Sequence, residues 1–247
     1  MKHWTALLFF TSLAFASPLP SRDAHAVVWL TDGRVLVGHH DGILQSKSPF
    51  KTWRKLLQQT NLDAMNLTPL EGRLRLTGHG IFGDVSLAGT FTPLTPAGLP
   101  TMPDVHGYTR LTEKVHYALI VGLGVMKSQD AGQSWKKAPL PDDTFRLLGT
   151  PRGLTGVSDT LGLFEVQGNR TVKIPTPYPV MNVQQDTSGR YWLATAAGVF
   201  VQDGKRWKKT SGEVLLAFAV HAKDPTRIFG VTSKGEGLQV QEAPAPR

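Results

Sequence analysis

The sequence predicts an all-β fold: a single β-propeller of six blades, each of about four antiparallel strands, with the last blade either completed from the N-terminal side or left with three strands. Three observations predict it. A unit of constant internal order recurs about every 40 residues, the length of a blade-forming repeat. Helix-forming runs are scarce while Gly (25) and Pro (17) are plentiful, as many short strands joined by turns require. The stretch Ser128-Gln129-Asp130-Ala131-Gly132-Gln133-Ser134-Trp135 lies between two apolar runs and reads as a hairpin turn. There an Asp side chain can bond backbone amides, and Gly supplies positive φ. Trp135 can pack its ring over that turn, with a turn carbonyl as partner for its indole N–H.

In chain order, each unit holds a turn, a short apolar strand, a Gly-centred loop and a Gly-apolar-apolar strand. The first reads Asp32-Gly33-Arg34, residues 35–38, Gly42-Ile43-Leu44 and Trp53. The second reads Glu71-Gly72-Arg73, residues 74–78, then Gly80-Ile81-Phe82 or Gly83-Asp84-Val85. The third reads 115–121, Gly124-Val125-Met126 and the turn above. The fourth reads Arg152-Gly153-Leu154 and Gly162-Leu163-Phe164. The fifth reads Ser188-Gly189-Arg190, residues 191–194, Gly198-Val199-Phe200 and Trp207. The sixth reads Pro225-Thr226-Arg227, residues 228–231 and Gly237-Leu238. The anchor glycines 42, 80, 124, 162, 198 and 237 stand 38, 44, 38, 36 and 39 residues apart. Leading apolar runs at 26–30, 63–67, 105–111, 144–149, 180–184 and 214–220 are expected to be the innermost strands. The sixth unit ends near Gln241, so either residues 17–23 add an outer strand or the blade has three; Pro18 and Pro20 argue against a well-paired strand there.

Trp53-Arg54-Lys55, Trp135-Lys136-Lys137 and Trp207-Lys208-Lys209 share a Trp-basic-Lys pattern on the expected outermost strands. Lysines there blunt edge-to-edge pairing. The same six residues, Arg54, Lys55, Lys136, Lys137, Lys208 and Lys209, could instead form a basic rim.

Met1-Lys2-His3, an apolar run over 4–15 and Ala14-Phe15-Ala16 read as a signal peptide over residues 1–16. The domain boundaries are then 17–241 for the propeller and 242–247 for a Pro-rich tail. No later stretch is long and apolar enough for a transmembrane helix. The expected location is secreted or periplasmic, in a bacterial envelope. The absence of cysteine means that an exported fold must stand without disulfides, which a core of this size allows. Without residues 1–16 the chain carries 26 Lys and Arg against 19 Asp and Glu, a charge of +7. That balance favours anionic partners such as lipid or wall polymer, with nucleic acid the least favoured.

The 128–135 turn matches Ser-x-Asp-x-Gly-x-x-Trp and resembles the Asp-box of BNR-type propellers at every defined position. The resemblance makes Ser128, Asp130, Gly132 and Trp135 structural. The mature chain resembles exported proteins of the WD40/YVTN/BNR-like repeat superfamily, and most nearly the F510_1955-family glycosylhydrolase-like proteins. It does so in His25-Ala26-Val27, Gly38-His39-His40-Asp41-Gly42, Gly78-His79-Gly80 and Asp104-Val105-His106-Gly107, with Thr90-Phe91-Thr92-Pro93-Leu94 as a worn Asp-box exit strand. The hydrolase label of that group rests on repeat similarity to sialidases. Photosystem assembly factors and sortilin-type receptors share the repeat without being hydrolases.

In a propeller, ligands bind where inter-blade loops meet the loops between second and third strands. His39, His40 and Asp41 fall in such a loop of blade one, His79 in that of blade two, and His25 and His106 at the starts of innermost strands. If they converge, His25, His39, His40, Asp41, His79 and His106 form a ligand-binding mouth. A divalent metal is then the candidate cofactor, with His39, His79 and His106 as candidate ligands. Protonated, the same histidines could hold an anion. No complete catalytic set is present. Sialidases resemble one another in an Arg-Ile-Pro motif that this chain lacks, and a Tyr–Glu nucleophile pair could be drawn only from Tyr178 with Glu165 or Glu213. Asp142 and Asp143 read as loop caps, and no nucleophile elbow, P-loop, Cys/His zinc pattern or dinucleotide fingerprint occurs. The sequence therefore favours a non-catalytic binding or assembly module for a protein or saccharide ligand. A sialidase-like glycoside hydrolase or lyase is the first alternative, and a basic-rim binder of anionic envelope polymer the second.

Overall fold

Short apolar runs punctuated by Gly, Asp and Ser become strands too short to bury a face alone, so they pair into sheets and the sheets stack. The computed structural model describes residues 15–21 and 23–242, with backbone alone at 15 and 16. The rest of the expected signal peptide and tail lies outside the described residues. β1 (Phe15–Pro18) opens the chain. Blade one is β2 (Ala24–Trp29), β3 (Arg34–His39), β4 (Gly42–Lys47) and β5 (Arg54–Gln58). Blade two is β6 (Asn66–Leu70), β7 (Arg73–Gly78), β8 (Ile81–Ser86) and β9 (Phe91–Pro93). Blade three is β10 (Val105–Arg110), β11 (His116–Ile120), β12 (Gly124–Ser128) and β13 (Lys136–Lys137). Blade four is β14 (Thr144–Thr150), β15 (Gly153–Ser158), β16 (Gly162–Gln167) and β17 (Arg170–Lys173). Blade five is β18 (Val180–Gln185), β19 (Tyr191–Thr195), β20 (Gly198–Asp203) and β21 (Arg206–Ser211). Blade six is β22 (Leu215–Val220), β23 (Arg227–Thr232) and β24 (Glu236–Gln241), completed by β1.

The protein is thus all-β, with six blades of four antiparallel strands. Each first strand of a blade touches its counterparts on both sides, so β2, β6, β10, β14, β18 and β22 ring a central channel. The apolar core lies between blades. Ala26, Val28, Leu36 and Ile43 of blade one, for instance, pack on Leu67, Leu74, Leu76 and Val85 of blade two.

Blade six differs from expectation in the bounds of its outer strand. As one of the two expected forms has it, an N-terminal strand completes the blade, but over β1 instead of 17–23: β1 pairs antiparallel with β24 from Phe15↔Gln239 to Pro18↔Glu236. Pro18 is tolerated because β1 is an edge, where a missing N–H breaks no further ladder. Leu19 follows, bonds Gly235 O through its amide at 2.9 Å, and is buried with Trp29, Phe50 and Phe229. The last strand of the ring therefore comes from the start of the chain.

The 128–135 turn joins β12 to β13. Ser128 Oγ donates to Asp130 Oδ1 (2.7 Å) and accepts the Gly132 amide (2.8 Å), while the Ser134 amide donates to Asp130 Oδ1 (2.9 Å). The Ser134 hydroxyl, which donates to Asp130 Oδ2, contributes most, and with the Ser134 amide and the Ser128 hydroxyl it holds the Asp130 carboxyl down at about 2. Ala131 and Gly132 both take positive φ, and the buried Trp135 ring donates Nε1–H to Gly132 O at 3.0 Å. The six basic residues fall on, or immediately at, the outer strands of blades one, three and five. Alternate blades keep them apart, Lys137 pairs with Asp142 at 2.9 Å, and Lys208 with Glu242 at 3.3 Å. Among the described residues no helix is long and apolar enough to cross a membrane.

Candidate metal centre at the channel mouth

Antiparallel pairing puts the start of each innermost strand and the loop between second and third strands at the same end of the channel. A second device then aims the side chains. In five blades the pairing of the first two strands skips one residue near the mouth: between Ala24 and Ala26, Val105 and Gly107, Thr144 and Arg146, Val180 and Asn182, and Leu215 and Ala217. Such bulges bend the strand and re-aim a side chain. In blades one and three the skipped residue is His25 and His106.

Four of the five expected mouth histidines meet there. His40 Nδ1 lies 2.9 Å from Asp63 Oδ2, His25 Nε2 lies 3.6 Å from Asp63 Oδ1, and the two Nε2 atoms are 3.4 Å apart. His79 spans two carboxylates, with Nε2 3.5 Å from Asp63 Oδ2 and Nδ1 2.7 Å from Asp104 Oδ1. His106 Nε2 lies 3.0 Å from Asp104 Oδ1, and its ring meets that of His79 edge-on, centroids 5.0 Å apart. The result is one chain of four imidazoles and two carboxylates.

Two groups, His25–His40–Asp63 and His79–Asp104–His106, each offer three ligand atoms within 4.8 Å of one another and could hold a metal ion. Imidazole with carboxylate suits zinc and neighbouring divalent ions, and three protein ligands leave a position open. Burial pulls His25 below the usual imidazole range, against the pull of Asp63, and so favours the neutral ring that a metal needs. Asp63 is only 6% exposed, and its Oδ1 has no hydrogen-bond donor. His106 Nε2 is also buried without a hydrogen bond, because the 3.0 Å approach of Asp104 lacks hydrogen-bond geometry. His79 Nδ1 and Asp104 Oδ1 are hydrogen-bonded at 2.7 Å, while Asp63 Oδ1 and His106 Nε2 have polar neighbours and no hydrogen bond.

His39 and Asp41 are not brought into the cluster. His39 Nδ1 accepts the Asp41 amide at 3.3 Å, and Asp41 Oδ1 accepts the Asn61 amide at 3.2 Å. Asp41 O takes the Gln59 amide and His39 O the Ala64 amide, so this loop instead pins the connector that carries Asp63. The metal set expected as His39, His79 and His106 is corrected accordingly: His79 and His106 share Asp104, and His39 is part of the support. Gly38 and Gly78 let the connector come close. A Cβ at Gly78 would collide with the Asp63 carbonyl, and one at Gly38 with the Ala64 carbonyl.

Asp63 and Asp104 escaped sequence reasoning because it aligned the repeat on its glycines. A second register was present: Asp23-Ala24-His25, Asp63-Ala64-Met65 and Asp104-Val105-His106, spaced 40 and 41 residues apart. An Asp recurring just before the innermost strands was the signal, followed two positions on by His in blades one and three and by Met in blade two.

The sialidase-type pairing is not assembled from the residues expected. Glu165 Oε1 accepts the hydroxyl of Tyr191, not of Tyr178, at 2.7 Å, and burial pushes Tyr191 up to about 12. Tyr178 is exposed and packs on Phe200. Asp143 caps a turn through the Thr160 amide at 2.7 Å, as expected of a loop carboxylate.

Below the cluster the channel opens into a cavity of about 280 Å³ lined by residues of all six innermost strands, His25, His106, Asn66, Arg146 and Asn182 among them. The chain resembles known proteins in fold and not in sequence. No family model matches it, and no curated protein matches it in sequence. Its fold is shared by many solved structures. A gluconolactonase from Xanthomonas campestris superposes with a TM-score of 0.73 at 12% identity, over 89% of this chain and 86% of the other. Virginiamycin B lyase from Staphylococcus aureus gives 0.68 at 11% identity, over 94% of this chain and 100% of the other. YCF48 bound to a D1 peptide gives 0.56 at 15% identity, over 93% and 82%. These likenesses establish the six-bladed propeller fold, which hosts both enzymes and binding proteins.

Proposed function

We propose that the chain is an exported propeller that holds a divalent metal at its channel mouth and works there on a small ligand, with metal-assisted hydrolysis or elimination as the reaction class. The observation that carries this reading is Asp63, a buried carboxylate with one oxygen unpartnered and three imidazoles around it. Burying such a group costs stability unless cations or donors satisfy it. When bound, the ion supplies a Lewis acid and a water acidic enough to react near neutral pH. The chain's own contribution is orientation. Asp63 and Asp104 fix the ring positions, His79 couples the two groups, and the ring of strands walls the cavity below. The neighbours named as a lactonase and a lyase support the scaffold's suitability for such chemistry and no more. The 128–135 turn supports a narrower kinship with BNR-repeat proteins.

A specific observation favours the non-catalytic alternative. Met102 beside Gly80, and Val121 and Leu123 beside His106, expose apolar side chains next to the mouth, a surface that suits a protein partner. The basic residues of alternate blades fit edge protection better than one polymer-binding patch.

The deciding experiment measures metal in the full chain, purified without a histidine tag and equilibrated with excess zinc, followed by a screen of lactone, ester and glycoside substrates. One or two ions per chain, with the ion of the His25–His40–Asp63 group lost in Asp63→Asn and that of the His79–Asp104–His106 group lost in His106→Ala, is the expected result. A metal-free protein overturns the reading. A loaded protein that turns over none of the substrates returns the mouth to the binding-module alternative.

A further inference from the structure

Arg146 belongs to neither group of the mouth cluster. It sits on β14, half-buried, and lines the same cavity as His25 and His106. Its one hydrogen bond runs from Nη1 to the Phe145 carbonyl at 2.8 Å, and its guanidinium stacks near the Phe145 ring at 5.8 Å. Among the described residues no carboxylate pairs with it. Every other cause being absent, burial alone lowers its pKa from the ordinary guanidinium value. A guanidinium cannot shed its proton at physiological pH, so Arg146 stays charged where it lines the cavity.

The register of the bulges explains the room around it. The residue following each skipped position faces the same layer: Ala26, Gly107, Arg146, Asn182 and Ala217, with Asn66 the counterpart in blade two. Three of these are Ala or Gly and leave space. Asn182 uses one amide N–H on Leu216 O and takes the Val183 amide on Oδ1. Asn66 Oδ1 lies 3.0 Å from the Thr68 hydroxyl, whose single proton also faces the Tyr108 carbonyl at 3.0 Å, and the Asn66 amide N–H groups have no partner among the described residues. One layer therefore presents a fixed cation and a free amide donor to a small polar-lined cavity.

We propose that this layer is an oxyanion site, and that the ligand of the mouth carries a carboxylate or phosphate held by Arg146 and Asn66 while its other end faces the His/Asp cluster. The inference rests on the mouth being a ligand site, as read above, and deepens it by naming the ligand's charge. Arginine presents a planar fork of donors suited to such groups. An anion also offsets the repulsion between the guanidinium and a metal sharing one cavity. A volume of about 280 Å³ limits the ligand to metabolite size.

The test is thermal melting of the full chain, metal-stripped and zinc-loaded, with glycolate, inorganic phosphate or neutral ethylene glycol as probes. In the parent chain at least one anion is expected to raise the midpoint by about 2–4 °C, and ethylene glycol to leave it unchanged. Which anion acts distinguishes a carboxylate from a phosphate ligand. Arg146→Gln abolishes the anion shift and, with no anion added, melts no lower than the parent, because a cation without a partner does not stabilise the fold. Arg146→Lys keeps part of the shift, and serves as the comparison where Arg146→Gln folds poorly. An anion shift undiminished in both variants overturns the proposal, as does a parent chain that responds to neither anion. A chain that takes up no metal yet loses its anion shift in Arg146→Gln overturns the metal reading alone. A loaded chain with no Arg146 dependence overturns this one alone.

Discussion

Asp63 shows how a single residue acquires a role from its surroundings. In sequence it is one acidic residue at a strand start, yet in the fold three imidazoles from two blades surround it. His116 is the contrasting case. It is buried, its Nδ1 lies 2.6 Å from the Tyr108 hydroxyl, and its Nε2 lies 3.1 Å from the Glu113 carbonyl. That pattern fits a neutral ring with the proton on Nε2, Tyr108 donating to Nδ1. Burial lowers its pKa from 6.5, and burial likewise pushes Tyr108 up to about 12. The sign follows directly. With the folded pKa below the unfolded value, the unfolded chain binds more protons as pH falls, so His116 contributes stability above about 6.5 that is lost on acidification. Urea midpoints of metal-free protein should be flat from pH 8 to about 7 and decline below about 6.5. The decline should be shallower in His116→Gln; an identical slope in both would remove His116 as a cause.

At the scale of an element, the site depends on how closely β7 passes the connector between blades one and two. Gly78 is the point of contact, and no side chain fits between it and the Asp63 carbonyl. Gly78→Ala must therefore push the connector, and Asp63 with it, away from His40 and His79. We expect zinc occupancy to fall at least tenfold in Gly78→Ala and to stay unchanged in Gly212→Ala, where an added methyl meets nothing within 4 Å. Equal occupancy in the two variants would show that the connector adapts. The bulges act at the same scale: the residue skipped in β2 and in β10 is the histidine, His25 or His106, that joins the mouth cluster.

For the whole molecule the decisive event is closure. Blade six takes its outer strand from the beginning of the chain, so β1 and β24 join residues more than two hundred positions apart. Such long-range pairing binds first and last blades into one cooperative ring. Leu19 locks it from inside, and Leu19→Ala should cost about 2–5 kcal/mol in urea unfolding, as for a well-packed leucine. Deleting residues 1–18 should destabilise the ring further by exposing the β24 edge; matching melts for the shortened and full chains would show that closure does not need β1. The expected cleavage after Ala16 would leave Ser17 and Pro18 of that strand in place, and intact mass of the exported chain checks it.

Much of this was legible in the residues themselves. The glycine anchors mark the onset of third strands, and the leading apolar runs are the innermost strands except in blade two, where the strand is Asn66–Leu70 rather than 63–67 and Asp63 falls in the connector before it; Trp135 finds its partner in Gly132 O. These features are local: a turn residue sets φ, and alternation sets which face is buried, within a few positions. Histidines at matching repeat positions pointed to the mouth for the same reason, since a repeat maps sequence register onto one end of the channel. What tertiary structure alone decided was which members touch. His39 and His40 are neighbours in sequence, yet one braces a loop and the other meets Asp63. Asp104, Asn66 and Arg146 take on meaning only across blades, and β1 only across the whole ring. Composition and period determined the propeller because hydrogen-bonding and burial patterns repeat along the chain; the site and the closure depend on packing between segments distant in sequence, which local pattern does not encode.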